Sequence, residues 1–379
     1  MSDLDPLLKR LFGDDEPERL GSGWWSGVAA VFFGLLGLFG SLCLVFPEWL
    51  TTPSVRQAVP LPVAHGLIQG SLALAFVSGL LSGLLRRRKV LALTGVTLAL
   101  LGSLIGSVAP PPAPLGDQGV LGLDWFALNL LLTALVFVPM ERAFPHRPGQ
   151  GPFRRGWTTD VAHFFVSHLL VQMSLFMTLV PARVLFGWAS TPALRALVSE
   201  SPLILQFFAI VVVADLTEYA VHRLFHRVPW LWRFHAIHHS AQSMDWLAGS
   251  RLHLVDILLT RGLTFVPIFV LGFAGPAVYA YLVFVSFHAV FIHANVRFDF
   301  RGIETLIATP RFHHWHHSSA AEATDRNFAV HLPAIDRLFG THYAPAGVWP
   351  EAYGIAGHPV PEGYVAQTVW PWRSRRSPS

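Results

Sequence analysis

The fold is decided at residues 203–240, LILQFFAIVVVADLTEYAVHRLFHRVPWLWRFHAIHHS. The first half of this stretch, Leu203–Tyr219, is an apolar run close to the ~20 residues that a membrane-crossing helix needs. The second half carries five histidines in the motifs HRLFH and HAIHH. Residues three or four apart on a helix point from the same face, so each motif can present its imidazoles to one point in space. The stretch therefore predicts a membrane helix followed at once by a histidine-rich site.

Seven further apolar stretches predict membrane-crossing helices. They are Trp24–Phe46, His65–Leu85, Val90–Val108, Leu121–Met140, Val161–Val180, Leu254–Phe273 and Ala277–Phe291, with the last two forming a hairpin split near Gly272 and Gly275. Only 13% of the 379 residues are charged and 53% are hydrophobic, whereas soluble domains carry about 25% charged residues. We therefore expect an all-α, polytopic transmembrane bundle.

The distribution of positive charge predicts how this bundle is oriented. Arginine-rich connections follow the second, fourth and sixth predicted spans, and a further cluster lies near the C-terminus: Arg86–Lys89, Arg142–Arg155, Arg223–Arg233 and Arg373–Arg376. Cytoplasmic loops of membrane proteins are enriched in Lys and Arg. With the N-terminus inside, all four clusters and the histidine site are cytoplasmic. Because the net charge of +4 comes from these short clusters, we expect no nucleic-acid partner.

Histidine is concentrated in the second half of the chain. Twelve of the 19 histidines lie between His222 and His317, where a third motif, HHWHH, contains His313, His316 and His317. Imidazole suits iron, zinc, copper and nickel. These histidines are too many for one tetrahedral zinc ion and fit the coordination positions of two octahedral ions. The single cysteine, Cys43, excludes a disulfide and a cysteine-based metal site within one chain.

The composition divides the chain into three predicted segments. Residues 1–119 contain about three plain transmembrane helices and end in the turn-rich stretch Ala109–Gly119. Residues 120–345 contain the histidine motifs and form the predicted catalytic domain. Residues 346–379 read as a C-terminal cytoplasmic tail.

The motifs resemble those of the fatty acid hydroxylase superfamily, also called the sterol desaturase family. The resemblance lies in DLTEYAVHRLFHRVPWLWRFHAIHHS, FIHANVRF, TPRFHHWHHS, DRNFAVHLP and IDRLFGTHY, between about Trp125 and Pro345. It implies a membrane enzyme that hydroxylates or desaturates a lipid with O₂, two iron ions and external electrons. It also implies a separate electron donor, such as a ferredoxin or a cytochrome, and zinc as a substitute for iron in a purified sample.

The resemblance implies a specific set of metal ligands. The motif positions match His222, His226, His235, His238, His239, His293, His313, His316 and His317. His253 and His288 stand near family positions with altered spacing or neighbours and are additional candidate ligands. We expect no catalytic residue beyond the metal ligands.

Four residues are predicted to support the ligands from outside the metal coordination sphere. Metal-bound histidines usually donate their second N–H to a carboxylate or carbonyl. Asp215 lies two helical turns before His222, His314 occupies the non-ligand position of its motif, and Asp325 and Asn327 follow the last motif in DRNF. The remaining histidines are expected to pack in the bundle (His65, His163, His168) or to lie in loops (His146, His331, His342, His358).

Two other classes of protein remain open from the residues alone. A histidine-rich metal transporter would place ligands near the bilayer midplane, within its spans. A haem electron-transfer protein would place paired histidines deep in two facing helices. The motifs here lie at the ends of apolar runs, which favours the enzyme, and residue usage favours a bacterial inner membrane.

Overall fold

The computed structural model describes residues 21–86, 88–107, 123–151, 153–166, 184–298, 302–357 and 359–373. Its α-helices are α1 (Trp24–Val45), α2 (Pro47–Leu50), α3 (Pro53–Ala58), α4 (Leu61–Leu85), α5 (Val90–Ser107), α6 (Leu123–Ala143), α7 (Pro192–Ser199), α8 (Leu203–Arg227), α9 (Pro229–His239), α10 (Leu254–Leu271), α11 (Gly275–His293), α12 (Pro310–His316), α13 (Pro333–Leu338) and α14 (Tyr364–Arg373). Residues 157–166 and 184–186 are also helical. Short 3₁₀ turns lie at Gly187–Ala189, Ala248–Ser250, Ile303–Thr305 and Ala321–Ala323. Among the described residues there is no β-strand, which confirms the all-α prediction.

Six of the described helices are long and apolar enough to cross a membrane: α1, α4, α5, α8, α10 and α11. The chain is therefore an integral membrane protein. It folds as two compact units, Met1–Phe153 and Arg154–Ser379. Helix α6, which we predicted to belong to the catalytic segment, lies in the first unit. The predicted boundary at Ala109–Gly119 falls outside the described residues, and so does most of the predicted span Val161–Val180.

The first unit packs its helices through small side chains. The buried residues of α1 recur at intervals of three and four: Gly27, Ala30, Gly34, Gly37 and Ser41. Those of α5 do the same: Ala92, Gly95, Ala99 and Gly102. In a membrane, where the lipid is as apolar as a leucine side chain, such small residues allow helix backbones to approach closely. At Gly95 an added Cβ would lie 2.5 Å from the Cβ of Ala30.

The second unit is built around α8, whose 25 residues give a helix about 37 Å long at 1.5 Å per residue. The N-terminal half of α8 packs Ile210, Val211 and Ala214 against α10 and α11. We predicted an apolar span ending near Tyr219, but the helix continues unbroken to Arg227. No glycine or proline interrupts it before Pro229, so the first histidine motif lies within the last turns of the same helix. The two predicted helices are present as α10 and α11, and the chain breaks between them at Gly272, which is in the left-handed conformation (φ 71°).

The close contact at Gly95 generates a prediction about stability. Gly95→Ala should destabilise the first unit by roughly 1–3 kcal/mol, because the added methyl group meets the backbone of α1 and neither helix can yield without losing other contacts. Gly70→Ala is the matched control, since nothing lies within 4 Å of the position of its Cβ. Thermal unfolding of the purified protein in detergent measures both. Equal melting temperatures for the two variants would contradict the packing argument.

Candidate metal centre

Helices α8 and α9 deliver five histidines to one place. His222 and His226 lie in the last two turns of α8, and His235, His238 and His239 lie in the last two turns of α9. Pro229, at the first position of α9, suits a helix start because its missing N–H would be unpaired there in any case. The two helices are joined through Val228 alone. This short link brings both histidine motifs to the same region.

Helices α11 and α12 deliver the other four. His293 is the last residue of α11, His313 and His316 lie on α12, and His317 caps it. Helix α12 begins with Thr309, whose side-chain oxygen accepts a hydrogen bond from the Phe312 N–H at 3.4 Å. All seven residues of α12 are buried. The third motif is thus held inside the second unit.

The nine predicted ligands assemble into two groups. In each group every histidine offers one ring nitrogen, and these nitrogens lie within 4.8 Å of one another. One group contains His222, His226, His235, His239 and His316, and the other contains His238, His293, His313 and His317. Helices α9 and α12 each contribute to both groups. The two groups are adjacent, because the rings of His239 and His317 stack at 4.5 Å between centroids.

The hydrogen bonds of the five-histidine group fix the protonation of its rings. His222 Nδ1–H donates to the Phe328 carbonyl at 2.8 Å and His316 Nδ1–H to the Arg326 carbonyl at 2.7 Å. A neutral imidazole that donates from Nδ1 carries a lone pair on Nε2. Among the described residues, the buried Nε2 atoms of His222, His226 and His316 have no hydrogen-bond partner. Buried polar atoms left without partners are costly, and a cation would satisfy these.

The four-histidine group also contains rings that donate from Nδ1 and carry a lone pair on Nε2. His238 Nδ1–H donates to the Arg251 carbonyl at 3.3 Å and His293 Nδ1–H to the Ala289 carbonyl at 2.7 Å. Their Nε2 lone pairs then face each other at 3.3 Å, and His293 Nε2 lies 3.0 Å from His313 Nε2. Nitrogen ligands at right angles around an ion at about 2.1 Å lie about 3 Å apart. The spacing therefore fits neighbouring ligands of one metal ion, and the donor set of both groups fits a metal pair.

Burial keeps these imidazoles neutral. It lowers the pKa of His238, His239 and His317 well below 6.5, and the neighbouring imidazoles lower it further. The pKa values of His313 and His316 are lowered for the same two reasons. Neutral imidazole is the metal-binding form. The rings are thus ready to bind cations near neutral pH without first losing protons.

Two ligand rings donate to carboxylates. His235 Nδ1–H donates to Asp256 at 2.7 Å, and the Asp256 side chain is only 5% exposed. His226 Nδ1 lies 3.3 Å from Asp325, whose side chain is 42% exposed. We predicted the contact of Asp325 and missed that of Asp256. Asp256 lies 21 residues after His235 and opens α10, so only the packing of α9 against α10 brings the pair together.

One short segment, residues 325–328, supports three rings of the five-histidine group through the Asp325 side chain and the carbonyls of Arg326 and Phe328. Asp325 and Asn327 hold left-handed backbone conformations (φ 56° and 57°). The Asn327 amide holds the segment by donating to the carbonyls of Phe312 at 2.9 Å and Tyr343 at 2.6 Å. Asn327 thus supports the site as predicted, but through the backbone and without touching a ligand ring.

The structure brings neither additional candidate ligand into the two groups. His253 caps α10, accepting from the Val255 N–H at 3.1 Å, and its Nε2 donates to the Thr368 carbonyl at 3.1 Å. His288 Nε2 donates to the Ala308 carbonyl at 3.0 Å, and its Nδ1 lies 3.0 Å from that of His331. His331 is in a loop, as predicted, yet it is fully buried.

Asp215 and His314 also act on the backbone. Asp215 accepts the N–H groups of Val330, His331 and Leu332 at 2.6–3.0 Å and so holds the chain that follows Phe328. The expectation that it would meet a ligand ring was wrong, because its carboxylate faces this loop. His314 lies 2.8 Å from the Tyr353 hydroxyl and 3.2 Å from the His293 carbonyl. His168 and His358 lie outside the described residues.

A glycine makes room for the four-histidine group. An added Cβ at Gly249 would lie 2.8 Å from Nδ1 and 3.0 Å from Cγ of the His293 ring. The surrounding segment is fixed by buried ion pairs, in which Asp160 bridges Arg154 at 2.7 Å and Arg251 at 2.5 Å. The Arg251 carbonyl in turn receives the His238 N–H. The sequence motifs gave no signal for this segment.

These features define an integral membrane protein with a histidine-rich centre, made of two adjacent groups that each have the donor set of a metal site. The family model described as fatty acid hydroxylase matches residues 207–341. Ornithine lipid hydroxylase of Rhizobium tropici is 30% identical over 256 residues, covering 66% of this chain and 76% of that protein. The chain belongs to the fatty acid hydroxylase family.

Two further relatives match shorter parts of the chain. Alkylglycerol monooxygenase of Homo sapiens is 30% identical over 147 residues, which cover 38% of this chain and 32% of that protein. Cholesterol 25-hydroxylase of Mus musculus is 31% identical over 173 residues, which cover 41% of this chain and 54% of that protein. The chain therefore spans about a third and about half of these two relatives. No solved structure matches the chain significantly. Membership places the chain among membrane-bound hydroxylases and monooxygenases.

Gly249 gives a test of the four-histidine group. Gly249→Ala should displace the His293 ring and lower bound metal from two ions toward one per chain, because one group loses a ligand while the other is untouched. Gly262→Ala is the matched control, since nothing lies within 4 Å of its added Cβ. Metal analysis of the purified proteins by mass spectrometry measures the difference. Equal metal content in both variants would contradict the assignment of His293.

The two carboxylate contacts give a second test. Asp256→Asn should weaken metal binding by about 10–100-fold, because it removes the negative acceptor that orients the His235 ring and raises its basicity. Asp325→Asn should have a smaller effect, since its contact is longer and solvent screens it. Competition with a chelator of known affinity measures both. The account fails here if Asp325→Asn is the more damaging change.

Proposed function

We propose that the chain is a di-iron enzyme that hydroxylates a membrane lipid, with O₂ as the oxygen source and a separate protein as the electron donor. The observation that carries the proposal is the convergence of nine buried imidazoles into two adjacent groups in a chain of the fatty acid hydroxylase family. The overall reaction, RH + O₂ + 2 e⁻ + 2 H⁺ → ROH + H₂O, balances atoms and charge. Hydroxylation is favoured over desaturation because the three relatives named above are hydroxylases or monooxygenases.

Iron is the proposed metal because the reaction needs a redox-active ion. Zinc has no accessible redox change, although its affinity for imidazole makes it a substitute in purified samples. An octahedral ion has six coordination positions. Five imidazoles would leave one position open on the first ion, and four imidazoles would leave two positions open on the second. When bound, the metal pair supplies the activation of O₂. The protein orients six of the nine rings through Nδ1, keeps them neutral and excludes water from the buried Nε2 atoms.

A cytoplasmic active site in a bacterial inner membrane is part of the same proposal. Arg223 and Arg227 lie beside the first histidine motif at the end of α8, and Arg233 lies on α9. Lys and Arg at the ends of membrane helices mark the cytoplasmic side. A relative from Rhizobium tropici aligns with 66% of the chain, which supports a bacterial origin. Ornithine lipids, the substrates that its name gives, are the first to test.

The two alternative classes fit the site less well. A porphyrin between two axial histidines needs a flat gap free of other ligands, whereas each group fills that gap with further imidazoles. A transporter places its ligands near the bilayer midplane, whereas His222 and His226 lie in the final turns of α8. Both observations favour the oxygenase.

Lipid analysis tests the function. In a bacterial host under ¹⁸O₂, expression of the wild-type chain should produce a lipid that has gained one ¹⁸O atom, detected by mass spectrometry of total lipids. His238→Ala and His317→Ala should abolish this product, because each removes a ligand of the four-histidine group, and should reduce bound metal. His65→Ala, in the first unit, should retain both. A product that persists in His238→Ala, or no labelled lipid in the wild type, would overturn the proposal.

A further inference from the structure

The five-histidine group comes close to solvent at one edge. Its two carboxylate partners differ sharply in exposure, with Asp256 at 5% and Asp325 at 42%. The contact from the exposed Asp325 side chain to the His226 ring at 3.3 Å therefore joins the group to the surface. Trp232, which is half-buried, packs its ring 4.9 Å from His226 and 5.4 Å from His239. We call His226, Trp232 and Asp325 the His226 edge.

Four arginines lie close to the residues of the His226 edge along the chain. They are Arg223 and Arg227 on α8, Arg233 on α9, and Arg326 next to Asp325. Arg227 is exposed, and the Arg326 guanidinium donates to the Gly340 carbonyl at the surface. In the two segments 221–233 and 321–328, the charged residues are these four arginines and the carboxylates Asp325 and Glu322. The two segments together therefore carry a net positive charge.

The position of the His226 edge near the surface is important because the proposed reaction consumes two electrons for each turnover. Electron transfer between proteins weakens steeply with distance, so a carrier must bind where the metal ligands lie nearest to the surface. At the His226 edge, the exposed Asp325 and the half-buried Trp232 each contact ligand rings directly. The positive rim would also draw an oppositely charged partner into this orientation and raise its association rate.

We propose that the His226 edge is the docking surface for an acidic protein that carries one electron at a time. The proposal rests on the proposed function, because it assumes that the metal pair is reduced from outside. Redox partners form small, transient interfaces, so a few charges around one exposed contact suffice. Trp232 and Asp325 then lie between the bound carrier and the five-histidine group.

Stopped-flow reduction tests the docking surface on the full-length, iron-loaded protein in lipid nanodiscs. The probe is an acidic [2Fe–2S] ferredoxin, reduced beforehand, and dithionite serves as a small reductant that needs no docking. The variant Arg227→Glu should be reduced by ferredoxin about threefold more slowly than the wild type, and its rate should lose part of its dependence on salt. Its rate with dithionite and its metal content should not change.

Matched variants separate docking from other effects. Arg155→Glu makes the same charge change at a 75% exposed position paired with Glu362 and should leave the ferredoxin rate unchanged. An equal loss in Arg155→Glu, an equal loss with dithionite, or less inserted protein from Arg227→Glu would overturn the proposal. The last result would assign Arg227 to lipid headgroups and topology.

The outcome is distinguishable from failure of the proposed function. If ferredoxin reduces the wild type faster than Arg227→Glu, yet no lipid gains oxygen, the docking surface stands and lipid hydroxylation falls. If dithionite reduces the wild type but ferredoxin does not, the docking proposal falls, while lipid hydroxylation is still decided by the labelled product in cells.

Discussion

The structure depends on one constraint, which is that neutral imidazoles converge with their lone pairs facing one another. His238 and His293 illustrate it, because each uses its Nδ1 proton on a backbone carbonyl and the two Nε2 atoms then meet at 3.3 Å. Without a cation this arrangement is repulsive and buried, and unsatisfied polar atoms cost about 1–3 kcal/mol each. With a cation the same atoms become ligands. The fold brings these rings together, and binding of metal turns that cost into stabilisation.

Much of the surrounding architecture serves to orient the rings. Helices α8 and α9 carry two motifs across a single-residue link, and α12 contributes to both groups of ligands. Outside them, a buried carboxylate and two loop carbonyls in segment 325–328 accept the Nδ1 protons of His235, His222 and His316 and so turn Nε2 of these rings inward. A glycine leaves room for the His293 ring. Loss of such outer contacts typically lowers metal affinity by about 10–100-fold.

Local spacing allowed the helices and eight of the nine candidate ligands to be predicted, because helical periodicity and the motifs HxxxH and HxxHH act over three or four residues. His293 belongs to none of these motifs and was predicted from the family resemblance. The helix ends were less accurate. Helix α8 extends past Tyr219 because hydropathy falls there while helix propensity does not. Contacts between distant segments left no local signal, which is why Asp256 was missed. His253 and Asp215 have the right chemistry, but one caps α10 and the other binds the loop at 330–332.

X-ray absorption spectroscopy combined with metal analysis tests the central claim most directly. The account predicts two metal ions per chain, in an environment dominated by imidazole nitrogen at about 2.1 Å, and no Soret band in the visible spectrum. A single ion per chain, ligands other than nitrogen and oxygen, or the absorption of a haem would contradict it.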